Sequence, residues 1–304
     1  MKGFRIIAAL LIFALLAGSA ALAEDASADL SSEALCQYGE EAVLAGDYEK
    51  AMAYFQQAAE QDDPEALWSL GTLYYYGYGV EQSYEEAQAY FRRAAELGHV
   101  RALNSIGYMY LNGEGVQQDY AKALEYVGSA AEQGDKQGQI NLGYMYLNGL
   151  GVEQDDAKAL EYYQMAADQG DAASQLYVGY MYDVGVGTGQ NYEMAEKYYR
   201  LAADQGDPMG TNNLGDLYER GHGVEQSYEK AMEYYQRAAE LGSIDAFMGM
   251  GDLYRGGLGV EQSYEKAAEN YRKAAELGVE DAVDSLKALV EAGHVSEAYL
   301  DGLE

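Results

Sequence analysis

Cysteine, histidine, proline and positive charge are all scarce in this chain of 304 residues, and each scarcity removes a class of explanation. A single cysteine allows no intrachain disulfide, and with three histidines it leaves almost no material for a protein-built zinc or iron–sulfur site. No metal and no cofactor is implied. Lys and Arg together number 19 against 51 Asp and Glu, a formal net charge of −32. A field of that sign repels phosphate backbones and anionic lipid surfaces, which excludes nucleic acid and the membrane face as partners. Beyond the N-terminus no apolar run approaches the length of a bilayer, so the mature chain has no stable membrane insertion. What is abundant is apolar residues at 49%, enough for a sizeable core, with 31 Tyr and 36 Gly.

The first segment reads as an address. Lys2 and Arg5 precede an apolar stretch from Ile6 to Ala17, and Ala21-Leu22-Ala23 forms an A-x-A site before Glu24. That layout predicts a cleavable signal peptide over 1–23, followed by a disordered linker over 24–30. Cys36 lies too far downstream to be a lipid-attachment cysteine. The mature protein is expected in a periplasm or outside the cell.

From residue 63 the sequence has one period. Glycines at 71, 107, 143, 179, 215 and 251 are 36 residues apart, and Gly98, Gly134, Gly170, Gly206, Gly242 and Gly278 keep the same step. Between them stand loop pairs such as Gly77/Gly79 and Gly221/Gly223. A fixed period of this size marks a stack of repeated supersecondary units. The six units are 63–98, 99–134, 135–170, 171–206, 207–242 and 243–278.

Each unit predicts two helices. In helix A an apolar residue stands before the first glycine and a Tyr three after it, as in Leu70/Tyr74 and Leu214/Tyr218, which places both on one face. Asp63-Pro64 and Asp207-Pro208 are cap and first-turn pairs, and they hold both prolines of the chain. The paired glycines end helix A in the left-handed conformation. Helix B begins after Ser83, Asp119, Asp155, Asn191, Ser227 and Ser263, all good N-caps at one equivalent position. Ala and Tyr follow, as in Ala87/Tyr90, then alanine pairs such as Ala238-Ala239, where small residues let helices approach while tyrosine rings fill the remaining space.

Strings such as Leu214-Gly215-Asp216-Leu217-Tyr218, Gly221-His222-Gly223-Val224, Tyr228-Glu229-Lys230-Ala231, Tyr234, Ala238-Ala239 and Gly242 closely resemble the Sel-1-like repeat, a relative of the tetratricopeptide repeat. Departures are mild: Thr188 replaces the loop valine, Asp156 the first helix-B tyrosine and Asn270 the later one. The segment 31–62 resembles a tetratricopeptide-type capping hairpin with the glycine-pair loop deleted, and 279–304 reads as a closing helix and tail. The resemblance implies an all-α fold, a right-handed superhelical solenoid of antiparallel helix pairs. It also implies an adaptor scaffold, with exported relatives in envelope assembly, signalling or host contact, rather than an enzyme.

If the hairpins stack as in tetratricopeptide arrays, helix A lines the concave surface. With the shared glycine as zero, positions −3, +1, +4 and +5 share one face. In the first four units that face carries Trp68, Thr72, Tyr75 and Tyr76, then Asn104, Tyr108, Leu111 and Asn112. It continues with Ile140, Tyr144, Leu147 and Asn148, then Leu176, Tyr180, Asp183 and Val184. In the last two it carries Asn212, Asp216, Glu219 and Arg220, then Met248, Asp252, Arg255 and Gly256. The expected site is therefore aromatic with amide donors at one end and charged at the other. Aromatic anchors and Asn amides suit a peptide or protein segment, and the acidic background favours one with basic and apolar character. The alternative is that Tyr108, Tyr144 and Tyr180 pack between adjacent helices, and that Trp68 seals the N-terminal cap.

Other motifs point elsewhere. Ser227-Tyr228-Glu229-Lys230 and Ser263-Tyr264-Glu265-Lys266 match the S-x-x-K pattern of penicillin-recognising enzymes, and a cysteine-rich group of secreted Sel-1-like proteins is associated with β-lactam binding and hydrolysis. This makes a β-lactam-directed or peptidoglycan-related hydrolase the competing reading. No S-D-N or K-T-G follows, the cysteine pairs are missing, and both serines sit at the repeating cap position. Self-assembly into a structural element is a third reading. Gly185-Val186-Gly187-Thr188-Gly189 is similar to a nucleotide loop but lies in the A-to-B loop. His99, His222 and His294 belong to different units and read as loop or surface histidines. Cys36 reads as a small apolar residue of the capping hairpin, with an interchain disulfide as the alternative.

Overall fold

The computed structural model describes residues 30–303; the expected signal peptide and nearly all of the linker lie outside the described residues. Among the described residues there are fifteen α-helices and no strands. The chain divides into two compact units, the first ending at Leu97 and the second running from Gly98. No helix of the described residues is long and apolar enough to cross a membrane.

The first unit holds α1 (Ser32–Ala45), α2 (Tyr48–Ala59), α3 (Pro64–Tyr76) and α4 (Tyr84–Glu96). The second holds α5 (Val100–Asn112), α6 (Tyr120–Glu132), α7 (Lys136–Asn148), α8 (Asp156–Asp168), α9 (Ala172–Val184), α10 (Tyr192–Asp204), α11 (Pro208–Arg220), α12 (Tyr228–Glu240), α13 (Asp245–Gly256), α14 (Tyr264–Glu276) and α15 (Glu280–Glu291). Within each unit every helix packs on its chain neighbours, so the core is a file of hairpins. Helices A are the odd-numbered elements from α3 onward and helices B the even-numbered ones.

Local signals act as the sequence leads one to expect. Ser83, Asp119, Asp155, Asn191, Ser227 and Ser263 each accept a backbone N–H of the first helix-B turn. Asp63 and Asp207 do the same ahead of their prolines. The loop glycines after α3, α5, α7, α9, α11 and α13 all have positive φ, between 65° and 81°. A glutamine then closes five of these six turns: the side-chain amides of Gln82, Gln118, Gln190, Gln226 and Gln262 donate to the +4 carbonyls of Tyr75, Leu111, Asp183, Glu219 and Arg255, while Gln154 donates instead to Asp156.

The shared glycine of helix A has a packing cause. A Cβ on Gly71, Gly179, Gly215 or Gly251 would stand 2.5 Å from the ring of Phe91, Tyr199, Tyr235 or Tyr271 on the partner helix B. Only a missing side chain lets a ring lie flat against the helix-A backbone. Gly39 faces Phe55 in the same way, so α1 and α2 repeat the design despite their two-residue connection Gly46-Asp47. The +3 tyrosines of helix A stack on helix-B tyrosines at 5.4–6.1 Å: Tyr74 on Tyr90, Tyr110 on Tyr126, Tyr146 on Tyr162, Tyr182 on Tyr198 and Tyr218 on Tyr234. Much of the tyrosine content is therefore framework.

At the far end of the second unit, α15 stands in the helix-A register, with Lys287 at the glycine position. A short 3₁₀ turn, Glu297–Leu300, follows it. The Arg272 guanidinium holds this segment by donating to the carbonyls of Ala298, Tyr299 and Asp301 at 3.1–3.2 Å.

Candidate functional site

The predicted site residues fall in both units. In the first, Trp68 and Tyr75 are half-buried and Tyr76 is 57% exposed. Tyr75 and Tyr76 make an edge contact at 4.8 Å, Tyr75 meets Tyr84 at 5.3 Å, and Tyr76 stacks on Tyr78. These rings form a cluster of their own at the loop end of α3.

In the second unit the +1 tyrosines are not packed away. Tyr108 on α5, Tyr144 on α7 and Tyr180 on α9 are 40%, 47% and 47% exposed. The helix puts them there because their neighbours at −1 and +2, such as Ile106 and Met109, fill the core and leave the +1 direction outward. Val184, at +5 of α9, is also exposed. Tyr177, which the +1/+4/+5 pattern passes over, adds a further exposed ring, 4.8 Å from Tyr163 and 6.2 Å from Tyr180. Its −2 position holds polar residues or glycine in the other helices A of this unit, so the 36-residue pattern gave no warning of it.

Several expected contacts are corrected. Asn104, Leu111 and Asn212 are buried, at 8%, 5% and 8% exposure, and build the wall instead of facing outward. Asn104 accepts a 2.8 Å hydrogen bond from Asn141 on the next helix A. Asn112 and Asn148 are exposed, but their amide nitrogens donate to the Tyr108 and Tyr144 carbonyls one turn back. One of the two N–H donors of each of these amides is thus already tied to its own helix. Ile140, Leu147 and Leu176 are half-buried and packed against core clusters.

The charged end is organised from below. The Tyr235 hydroxyl lies 2.6 Å from both the Asp216 and the Glu219 carboxylates of α11. The Tyr271 hydroxyl donates to Asp252 at 2.7 Å, and the Tyr199 hydroxyl to Asp183 at 3.2 Å. Burial raises the Asp216 carboxyl above its ordinary value; Glu219 and Asp183 add to that, against the Tyr235 hydrogen bond and Arg220. Arg220 and Arg255 are exposed, the latter paired with Asp252 at 2.7 Å.

The remaining motifs are structural. Ser227 and Ser263 cap α12 and α14, while the Lys230 and Lys266 ammonium groups lie 4.9 and 5.1 Å from the Tyr218 and Tyr254 ring centroids. Each S-x-x-K lysine is therefore held over a ring. His99 caps α5 through Nδ1, and His222 and His294 stack on Tyr192 and Tyr264. Cys36 is buried, and burial together with Asp63 pushes its thiol up to about 12, so it stays an unreactive thiol at neutral pH. Among the described residues no group of His, Cys, Asp and Glu could hold a metal ion.

The Sel1 repeat family model matches residues 25–63, 64–99, 100–135, 136–171, 172–207, 208–243 and 246–279. The first match takes in the hairpin expected to be a tetratricopeptide-type cap. A uropathogenic Escherichia coli protein, the protective antigen c5321, is 34% identical with a TM-score of 0.79; the alignment covers 88% of this chain and 58% of that one. The chain thus spans little more than half the length of that relative. A Sel1 repeat protein from Oxalobacter formigenes is 30% identical over 79% of this chain and 96% of its own, with a TM-score of 0.65. No curated protein matches. Sel1 repeat proteins are generally interaction scaffolds without catalysis, and on seven repeats and two similar structures this chain belongs to the Sel1 repeat family.

Proposed function

We propose that the protein is an exported, non-catalytic scaffold that binds a segment of a partner protein on the helix-A face of its second unit. The observation that carries this is the row of exposed rings Tyr108, Tyr144 and Tyr180, joined by Tyr177 and Val184. Rings of this size left in water on a highly charged chain are a solubility liability unless something covers them. Tyrosine is suited to such work, since it offers a large rigid apolar body at low entropic cost and a hydroxyl that tolerates water. The acids of α11 and α13 next along the face favour a partner with basic as well as apolar residues. Export rests on the N-terminal layout, and the description of the E. coli relative as a protective antigen fits a protein that meets the cell exterior.

Site-specific photocrosslinking tests the face. A benzoylphenylalanine at position 144 is expected to capture a discrete partner in intact cells, and Tyr108→Ala with Tyr180→Ala to abolish that capture. A crosslinker on the outer side of helix B, at Gln236, serves as the control. Equal capture from both positions, or capture indifferent to the tyrosine substitutions, overturns the site. N-terminal sequencing of the mature protein is expected to begin at Glu24; a retained Met1 overturns export by cleavage.

A further inference from the structure

Two of the stacked tyrosine pairs in the second unit are bridged by one donor each. The Gln164 amide of α8 donates to the Tyr182 and Tyr198 hydroxyls at 2.9 and 3.5 Å. The Arg200 guanidinium of α10 does so with two nitrogens, Nη1 3.0 Å from the Tyr234 hydroxyl and Nη2 3.2 Å from that of Tyr218, while its Nε donates to Glu196 at 2.7 Å. In both cases the donor stands 18 residues before the helix-A tyrosine and 34 before the helix-B one. The same spacing traced back from Tyr146 and Tyr162 leads to α6, where the residue is Gly128.

Nothing takes the place of a side chain there. A Cβ at Gly128 would meet no atom within 4 Å, so the position is open. The Tyr146 and Tyr162 rings still lie almost parallel, 5.7 Å apart with 7° between their planes. Both are half-buried, and neither hydroxyl has a hydrogen bond among the described residues. Glu132, one turn further along α6, stands to Gly128 as Glu276 stands to Arg272, whose Nε it holds at 2.8 Å. Glu132 is exposed and has no ion pair among the described residues. Burial holds the Tyr162 phenol above its ordinary value, and Tyr146, Glu161 and Glu132 add to that, so the hydroxyl stays neutral in a negative field. The Lys158 ammonium, 4.9 Å from the Tyr146 ring centroid, does not fill the position. Lys230 lies 4.9 Å from the Tyr218 centroid in the same way, and Arg200 bonds that ring's hydroxyl all the same.

We propose that Gly128, Tyr146, Tyr162 and Glu132 form a notch for a guanidinium, namely an arginine side chain of a second protein. A planar guanidinium sets separate nitrogens against two oxygens and keeps donors over for a carboxylate, as Arg200 does within the chain. A single donor nitrogen spans the pair less well, since that of Gln164 reaches its second hydroxyl only at 3.5 Å. The net charge of −32 draws a basic partner and repels a second copy of this chain. Tyr146 follows Tyr144 by two residues, about 200° round α7, so the notch opens away from the exposed tyrosine row and is a separate site.

The test uses the full mature chain with isotope-labelled tyrosine and N-ethylguanidinium chloride as the probe, read by NMR at constant ionic strength. Saturable shifts are expected at the Gly128 amide and at the Tyr146 and Tyr162 rings, and none with tetramethylammonium, which carries the same charge and no N–H donor. Tyr146→Phe with Tyr162→Phe is expected to remove the Gly128 response, with helical content checked by circular dichroism. Gly128→Arg fills the notch from within. It is expected to abolish the probe response and to raise the thermal midpoint by about 2–4 °C beyond Gly128→Ala, which adds helix propensity alone. No saturable shift, an equal response to tetramethylammonium, a response that survives Gly128→Arg, or no rise beyond Gly128→Ala overturns the notch. Self-association that Gly128→Arg removes would put the arginine on a second copy and overturns the foreign partner. Crosslinking at position 144 reads the tyrosine row independently, so failure of one leaves the other standing.

Discussion

The helix-A face of the second unit changes character between α9 and α11 while the repeat length stays constant. On α5, α7 and α9 the +1 residue is an exposed tyrosine, and the helix-B residue behind the shared glycine is Val127, Tyr163 or Tyr199. On α11 and α13 the +1 residue is Asp216 or Asp252, and the ring behind it, Tyr235 or Tyr271, reaches past the glycine to bond that carboxylate. The fourth repeat is a hybrid, with Tyr180 outward at +1 and Asp183 at +4 receiving the Tyr199 hydroxyl. One framework thus carries two surfaces, and the hydroxyl of the tyrosine behind the glycine donates to helix A where an acid stands opposite it. Identical repeat positions therefore do not share one role, because the residue packed beneath decides whether they face outward or are tied down.

The sharpest way to break this contrast is to remove single hydroxyls. Tyr235→Phe leaves two half-buried carboxylates without their donor, and a loss of about 1–3 kcal/mol is expected in denaturant unfolding. Tyr163→Phe, whose hydroxyl makes no hydrogen bond among the described residues, is expected to change stability by less than about 0.5 kcal/mol. Comparable losses in both would show that the hydroxyl contact does not distinguish the two regions.

Next in size is the glycine row. Gly215→Ala forces a Cβ to 2.5 Å from the Tyr235 ring, and overpacking of about 1–3 kcal/mol outweighs the roughly 1 kcal/mol gained in helix propensity. At Gly143 the nearest ring atom of Tyr163 is 3.2 Å away, so Gly143→Ala is expected to come out near neutral. Equal effects would mean that the rings yield equally in both regions.

Smaller still is a pH effect at Asp216. Its carboxyl is raised in the fold, so its contribution is full below the ordinary value of 3.8 and is lost as pH rises through the raised value. Asp216→Asn is therefore expected to flatten that part of the stability profile. An unchanged slope would argue that Asp216 titrates normally. The smallest stability effect belongs to Tyr108→Ala with Tyr144→Ala, expected within about 0.5 kcal/mol per site because the rings are exposed. A large loss would assign them to the framework.

Most of the fold was legible because its signals are local and recur. Caps at Ser83, Asp119 and their equivalents, positive-φ glycines and the stacked +3 tyrosines all stand where the 36-residue spacing puts them. The site was legible only in part. Tyr108, Tyr144 and Tyr180 emerge outward as helical geometry predicts, whereas Asn104, Leu111 and Asn212 share their stripe and are buried. The stripe is wider than the gap between neighbouring helices A, and its edges are covered by residues such as Asn141 that come from the next repeat. Tyr177 escaped the pattern because it departs from what the equivalent positions hold.

Period, helix boundaries, family and sign of the charge were readable from the sequence, since caps and turns depend on residues within a few turns of one another and recurrence and charge are properties of the residue order and count. Tertiary structure alone decided why the shared glycine must be glycine, which tyrosines are framework and which are surface, and which stacked pair has no donor beside it. Those outcomes depend on side chains brought together by packing across about 20 to 40 residues, at distances where one ring atom more or less changes what fits.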